Sequence, residues 1–106
     1  MIEELKKYIL SKQLDERAIE CFWVAFMNWK SVSHVEYEKK FTHVNLNDLK
    51  IFIHSIGVSS KEWPECIYNR IIITILIQHN NVSLGNYRVY FAIDSESDDD
   101  DFLEIY

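Results

Sequence analysis

Glycine and proline are scarce in this sequence, which has two Gly and one Pro in 106 residues. Loops that wrap a phosphate group with backbone N–H groups need several glycines, so the chain has almost no material for one. The sequence also lacks an HExxH, a GxSxG and a Cys/His cluster, which are motifs of metalloproteases, hydrolases and zinc sites. These absences predict a protein with no catalytic site and no cofactor.

Cysteine is equally scarce. Cys21 and Cys66 lie far apart and form no CxxC pair, which argues against a zinc ribbon or a thioredoxin-type redox site. We expect two buried thiols, because free cysteine is among the most buried residue types. Unpaired thiols suit a reducing compartment, and the predicted location is the cytoplasm.

Long apolar runs are also missing. The longest, IIITILI, is far shorter than the roughly 20 residues that a membrane-spanning helix needs. The first residues, MIEELKKYIL, carry two Glu and differ from the basic start and apolar stretch of a signal peptide. We therefore expect a soluble, unexported protein that makes no membrane contact.

The order of hydrophobic patterns predicts one α+β domain over residues 1–106. N-terminal helices, in a helical part that reaches about residue 57, are expected to pack on one face of a C-terminal three-stranded antiparallel meander, in a β part over about 70–106. Apolar positions at three- and four-residue steps predict helices over 2–10 and from Asp15 onward, with Asp15 as the N-cap of the second.

Two further segments have helical spacing. Residues 33–41 fit both a short helix and an edge strand, and the capping-box spacing of Ser33 and Glu36 favours the helix. Leu46–Ile56 repeats its apolar residues as one helix face, and Gly57 follows where a left-handed residue commonly ends a helix. A helix is therefore predicted there as well.

Three segments of the second half have strand patterns. RIIITILIQ is dense in β-branched residues, and its continuous apolar character predicts a central strand covered on both faces. YRVYFAID alternates, with Tyr87, Val89 and Phe91 on one face. FLEIY gives the third strand, and the acidic stretch before it is predicted to be a loop.

Charge is distributed unevenly along the chain. The net charge is −6, yet residues 1–60 hold eight basic and eight acidic residues and sum to zero. Residues 61–106 hold three basic and nine acidic residues, which accounts for the whole net charge. A nucleic-acid surface needs clustered Lys and Arg, so nucleic acid is not an expected ligand.

The acidic run DSESDDDD is the strongest candidate for a functional site. It lies between predicted strands, where like charges oppose folding, and aromatic residues flank it. Tyr is a frequent anchor of protein interfaces. A solvated loop that only aids solubility is the simpler alternative. The predicted partner-binding residues are Tyr90, Asp94, Glu96, Asp98, Asp99, Asp100, Asp101, Phe102, Glu104 and Tyr106.

The same run partly matches a calcium-binding loop. Asp94, Glu96 and Asp98 stand at the first, third and fifth positions of such a loop. The sixth position holds Asp99 where the sharp turn needs Gly, and the twelfth holds Ile105 where a bidentate Glu belongs. No metal site is therefore predicted.

The pattern NYRVYFAIDSESDDDDFLEIY, with the small size and the missing catalytic motif, resembles the small acidic immunity proteins encoded beside bacterial toxins of contact-dependent inhibition and polymorphic-toxin systems. The resemblance covers about the last fifth of the chain. It implies a noncatalytic protein that neutralises a cognate basic toxin domain, often a nuclease, by covering its active or substrate-binding site. The carboxylates of Asp94, Glu96 and Asp98 to Asp101 would then take the place of substrate phosphates in contacts with Lys and Arg side chains of the toxin.

Two other functions fit the same charge. One is an inhibitor that mimics nucleic-acid charge and blocks a host or phage-defence nucleic-acid-binding protein. Such a mimic is expected to spread acidic groups along a surface, whereas residues 1–60 are charge-balanced. The other is a structural or interaction subunit of a larger complex, in which the acidic run is incidental.

Overall fold

The computed structural model describes residues 2–65, 68–93 and 98–106, apart from the side chains of Lys61, Tyr68, Asp98 and Asp99. The described chain forms three α-helices, one short 3-10 helix and a four-stranded antiparallel sheet, in the order α1 (Ile2–Ser11), α2 (Leu14–Val32), α3 (His34–Phe41), the 3-10 helix (Leu46–Asp48), β1 (Lys50–Lys61), β2 (Tyr68–His79), β3 (Val82–Ala92) and β4 (Asp98–Ile105). The strands lie side by side in chain order, so β1 and β4 are the edges of a meander. The α+β class with N-terminal helices is confirmed, and the predicted count of three strands is wrong.

The additional strand is β1, which occupies most of the segment predicted to be a helix. Asn45 precedes this segment and caps only the 3-10 helix, where its side chain accepts a hydrogen bond from the backbone N–H of Asn47. Gly57 lies inside β1 and ends no helix. The helical part of the chain therefore stops before Lys50, and the β part begins there rather than near residue 70.

A β-bulge explains why β1 has helical spacing in the sequence. Ile53 lies opposite Ile75 and Ile56 lies opposite Ile73, so these two apolar residues of β1 share one face although they are three positions apart. The register shifts between Ile53 and Ser55. One extra residue in a strand moves the following side chains by one position, which turns an alternating pattern into one that resembles a helix.

The hydrophobic core lies between α2 and one face of the sheet. In α2 the buried residues recur every four positions, which aligns them along one side of the helix. The sheet contributes alternate residues of its two central strands, as expected when one face is covered. The buried core residues are Ile9, Leu14, Ala18, Phe22, Phe26, Phe41, Ile71, Ile73, Ile75, Ile77, Tyr87, Val89 and Phe91.

The opposite face of the sheet, called the open face here, is not covered by the described helices. Ile72, Thr74 and Leu76 of β2 point to this face and are half-buried, in contrast to the fully buried Ile73 and Ile75 between them. The prediction that this strand is covered on both faces is therefore wrong. Its continuous apolar sequence supplies the core on one side and a partly exposed apolar surface on the other.

The connections between elements depend on left-handed residues and on burial. Gln13 has a φ of 55° and precedes α2, which begins at Leu14 without a side-chain cap, so the predicted Asp15 cap is wrong. Leu14 is almost fully buried, and its packing explains where the helix starts.

The short helix predicted over residues 33–41 is confirmed as α3. Asn80 and Asn81 both have positive φ and form the tight turn between β2 and β3.

Four aspartates of the acidic stretch lie in a strand rather than in the predicted loop. β4 begins at Asp98 and includes all four consecutive aspartates. Asp101 pairs with Val89 and Asp100 with Tyr90, so these residues belong to the sheet. The prediction that Asp98 to Asp101 lie in a loop is therefore wrong.

Candidate protein-binding site

Strand β4 divides the acidic residues between two surfaces, because successive side chains of a strand point to opposite faces. Asp100 lies opposite Tyr90 and points to the open face. Asp101 lies opposite the buried Val89 and points to the side of the helices. Both aspartates are exposed. One acidic run thus contributes carboxylates to two different faces of the protein.

The structure describes only some of the other predicted site residues. Asp94 and Glu96 lie outside the described residues, and the structure describes only the backbone of Asp98 and Asp99. The structure brings the remaining residues together at the β3–β4 edge of the sheet, and four of them share the open face: Tyr90, Asp100, Phe102 and Glu104.

Asp101 is held by a buried tyrosine. The hydroxyl of Tyr87 donates a hydrogen bond of 2.8 Å to Oδ2 of Asp101. Tyr87 is fully buried, and its ring packs edge-to-face on Phe22 with 5.8 Å between ring centroids. A carboxylate fixed by a rigid donor loses less conformational freedom on binding than one on an unrestrained side chain. Tyr87 is among the aromatic residues that flank the acidic run in the sequence, and the fold shows that it contacts Asp101 from the core.

The open face carries cations as well as carboxylates. The guanidinium of Arg70 lies 4.4 Å from the ring centroid of Tyr90, and that of Arg88 lies 5.4 Å from the ring centroid of Phe102. Guanidinium groups over aromatic rings gain cation–π attraction. Two of the predicted aromatic anchors are therefore already in contact with arginines, and the open face is mixed in charge rather than uniformly acidic.

The C-terminal end of β4 is tied to β3 by polar contacts. The Asn86 side-chain amide donates to Oε1 of Glu104 at 3.0 Å and to the hydroxyl of Tyr106 at 2.9 Å. The backbone N–H of Tyr106 donates to the carbonyl of Leu84 at 2.9 Å. These bonds hold Glu104 and Tyr106 beside each other at the edge of the sheet.

A groove between α2 and β4 reaches Asp101 from the side of the helices. Its volume is about 510 Å³, and its walls are Val24, Ala25, Asn28, Trp29, Val32 and Ser33 of the helical layer with Asp101 and Leu103 of β4. A hollow of about 320 Å³ shares Val24 and Asp101 with it and adds Glu20 and Cys21. Cys21 is half-buried rather than buried as predicted, and Cys66 lies outside the described residues.

Sequence reasoning missed this groove. The feature of the sequence that indicates a groove is the width of the apolar stripe on α2. In the structure, Val24 and Val32 are 73% and 76% exposed, and the core residues lie on another side of the helix. Two such valines, two helical turns apart, indicate a second apolar strip beside the core. Which strand lies across from that strip depends on tertiary packing.

Within residues 2–65, 68–93 and 98–106, no group of three or more His, Cys, Asp or Glu side chains is arranged to hold a metal ion. Asp94 and Glu96, the first and third positions of the calcium-like pattern, lie outside these ranges. Among the described residues, no helix combines the length and apolarity needed to cross a membrane.

Comparison of the chain with protein-family models, with curated proteins and with solved structures found no match in any of the three. The class is therefore described from the structure: a small α+β domain in which a helical layer covers one face of a four-stranded antiparallel meander.

Proposed function

We propose that this chain is a noncatalytic immunity protein of a bacterial toxin system, which acts in the cytoplasm. It binds a cognate basic toxin domain and covers the active or substrate-binding surface of that domain. We favour a nuclease as the toxin. The observation that carries the proposal is the position of Asp98 to Asp101 on β4. This edge strand presents carboxylates to both of its sides and continues into exposed aromatic residues.

The charge of β4 suits recognition of a basic protein. Asp100 and Asp101 are exposed at an edge of the sheet, and the part of the chain that contains them holds the entire net charge of −6. Attraction between opposite charges raises association rates by about 10- to 1,000-fold and weakens as salt increases. In a nuclease, the same basic side chains that hold substrate phosphates would meet these carboxylates.

Affinity requires buried contacts in addition to charge. Phe102 is 50% exposed and Tyr106 is 58% exposed, and both flank the acidic residues on β4 or just after it. Aromatic side chains at the centre of an interface commonly dominate binding energy, while charges at the rim contribute mainly to rate and specificity. Phe102 and Tyr106 are therefore the proposed anchors.

The partner is identified by affinity capture of the native protein from its source cells at low and at high salt, followed by mass spectrometry. Retention of one basic toxin domain at one-to-one stoichiometry, with loss of its toxic activity on binding, supports the proposal. Capture of a nucleic-acid-binding machine supports the charge mimic instead and overturns it. Capture of no specific protein also counts against an immunity function.

The role of β4 is tested by charge reversal with a matched control. We expect Asp100→Lys combined with Asp101→Lys to slow association with the captured toxin domain by about 10-fold or more at low salt and to flatten its salt dependence. Glu36→Lys with Glu38→Lys makes the same change in net charge on α3, where both residues are exposed. Equal slowing by the two variants would assign the effect to net charge rather than to β4.

A further inference from the structure

The groove between α2 and β4 combines an apolar channel with a fixed carboxylate. Val24 and Val32 of α2 lie along one wall, Leu103 of β4 lies on the other, and Asp101 is part of the lining. Trp29 is half-buried and contributes an aromatic surface to the same groove. The α2 side chains that line the groove follow helical steps, so the channel runs along the helix axis.

The carboxylate of Asp101 is oriented before any partner arrives. Oδ2 accepts a hydrogen bond of 2.8 Å from the hydroxyl of Tyr87, and the tyrosine ring is fully buried against Phe22. Glu20 adds a second carboxylate in the adjoining hollow, which shares Val24 and Asp101 with the groove. The acidic end of the channel therefore has one fixed carboxylate with a second one near it.

This combination selects the chemistry of the occupant. An occupant that is only apolar would remove water from Asp101 without replacing its hydrogen bonds, and burial of an unpaired carboxylate is strongly unfavourable. A small cation would leave Val24, Val32 and Leu103 uncovered. An arginine side chain satisfies both surfaces, because its aliphatic stem packs on apolar residues and its planar guanidinium donates several hydrogen bonds to carboxylates.

We infer that the groove between α2 and β4 binds an arginine side chain of a basic protein partner, with the guanidinium on Asp101 and the stem against Val24 and Leu103. The inference rests on the proposed function for the identity of the partner, and it adds a contact on the helix side of β4 to the proposed anchors Phe102 and Tyr106. Asp100, which points to the open face, lies outside the groove. Two neighbouring aspartates of equal charge thus have different roles.

The test uses a small probe, so it does not depend on the toxin. The ¹⁵N-labelled protein is titrated with N-acetyl-arginine methylamide, and with the corresponding norleucine amide as an uncharged control. We expect saturable amide shifts at Asn28, Val32 and Leu103 with the arginine probe and weaker binding of the norleucine probe. Shifts confined to the open face, or no saturable shift, would overturn the inference.

A pair of variants separates the groove from general acidity. Asp101→Asn keeps an oxygen that can accept the Tyr87 hydroxyl, so we expect the fold to persist and the arginine probe to bind about 10-fold more weakly. Glu4→Gln removes the same charge from an exposed position of α1, outside the groove lining, and is expected to leave probe binding unchanged. Equal weakening by both variants argues against the groove.

The outcome for the toxin itself distinguishes this inference from the proposed function. If the captured toxin domain dissociates faster from Asp101→Asn than from Glu4→Gln, both stand. If the toxin is captured and neutralised with identical kinetics by the two variants, the arginine groove is overturned while the immunity function is retained. If the arginine probe binds the groove but no toxin is captured, the immunity function alone fails.

Discussion

At the scale of single residues, the two glycines of the chain have different roles, although both lie within strands and neither has a positive φ. A Cβ atom on Gly85 would collide with the carbonyl oxygen of Glu104 and lie 3.2 Å from the Cα of Ile105. A Cβ atom on Gly57 would have no neighbour within 4 Å. Gly85 therefore permits the close approach of β4 to β3, and Gly57 has no such function.

We expect Gly85→Ala to lower the free energy of unfolding by about 1–3 kcal/mol, the usual cost of forcing extra volume into a packed site. The backbone of β4 at Glu104 must move to admit the methyl group, and that movement weakens the pairing of the strand. Urea denaturation monitored by circular dichroism measures the change, and an unchanged slope with denaturant shows that the unfolding reaction is the same.

Gly57→Ala is the matched control. Its side chain would enter open space, so we expect a free energy of unfolding that is unchanged or higher by about 0.4–1 kcal/mol, as when a compatible glycine is replaced. Similar losses for both alanine variants would show that the close approach of Glu104 to Gly85 does not govern stability.

The sequence predicts the residue types of the candidate site better than their arrangement. The acidic run and its neighbouring aromatics are visible in the sequence, because charge and side-chain type do not depend on the fold. The division of Asp100 and Asp101 between opposite faces requires that both lie in a strand. That Tyr87 lies close to the acidic run is visible in the sequence, but its hydrogen bond to Asp101 in particular depends on the pairing of β3 with β4. The groove beside α2 depends on residues far apart in sequence, so no local pattern reveals it.

At the scale of secondary-structure elements, β2 tests whether the sheet is covered on one face only. Ile73 is fully buried beneath the helices, and its neighbour Ile72 is half-buried on the open face. We expect Ile73→Ala to lower the free energy of unfolding by about 2–5 kcal/mol, because it leaves a cavity in the core. Ile72→Ala is expected to cost about 1 kcal/mol, since its apolar surface is only partly removed from water.

The comparison of these two variants is internally controlled. Both replace isoleucine by alanine in the same central strand, so the change in strand propensity is shared. Thermal or urea unfolding of the two proteins side by side gives the difference directly. Equal destabilisation would contradict a sheet covered on one face, because it requires the open face to be buried as deeply as the core.

Elements were predictable where one periodicity dominated. The helices α1 and α2 and the strands β2 and β3 follow clear helical or strand patterns, and each is present. β1 was assigned to a helix because its bulge near Ser55 places Ile53 and Ile56 three positions apart on one face. The aspartates of β4 were assigned to a loop because Asp is disfavoured in strands, and pairing with β3 outweighs that preference here.

At the scale of the whole molecule, charge is concentrated at one edge of the sheet. The helical part of the chain is close to neutral, while β4 alone contains five acidic residues and no basic ones. Like charges held together in the folded state repel one another, and unfolding lets them separate. The charged side chains also limit pairing of this edge strand with other chains, because they discourage the addition of a further strand.

We expect the melting temperature to rise by a few degrees when NaCl is increased from about 10 mM to about 0.5 M, a gain of roughly 0.5–1 kcal/mol. The screening length falls over this range from about 30 Å to less than about 10 Å, which weakens repulsion within β4. Replacing Asp98 to Asp101 by Asn should reduce this salt dependence. Replacing Glu3, Glu4, Glu36 and Glu38 by Gln also removes four carboxylates, but from the charge-balanced half, and should reduce it less. A melting temperature that falls with salt would mean that attractive charge pairs, and not the crowded carboxylates of β4, dominate the electrostatics of the folded protein.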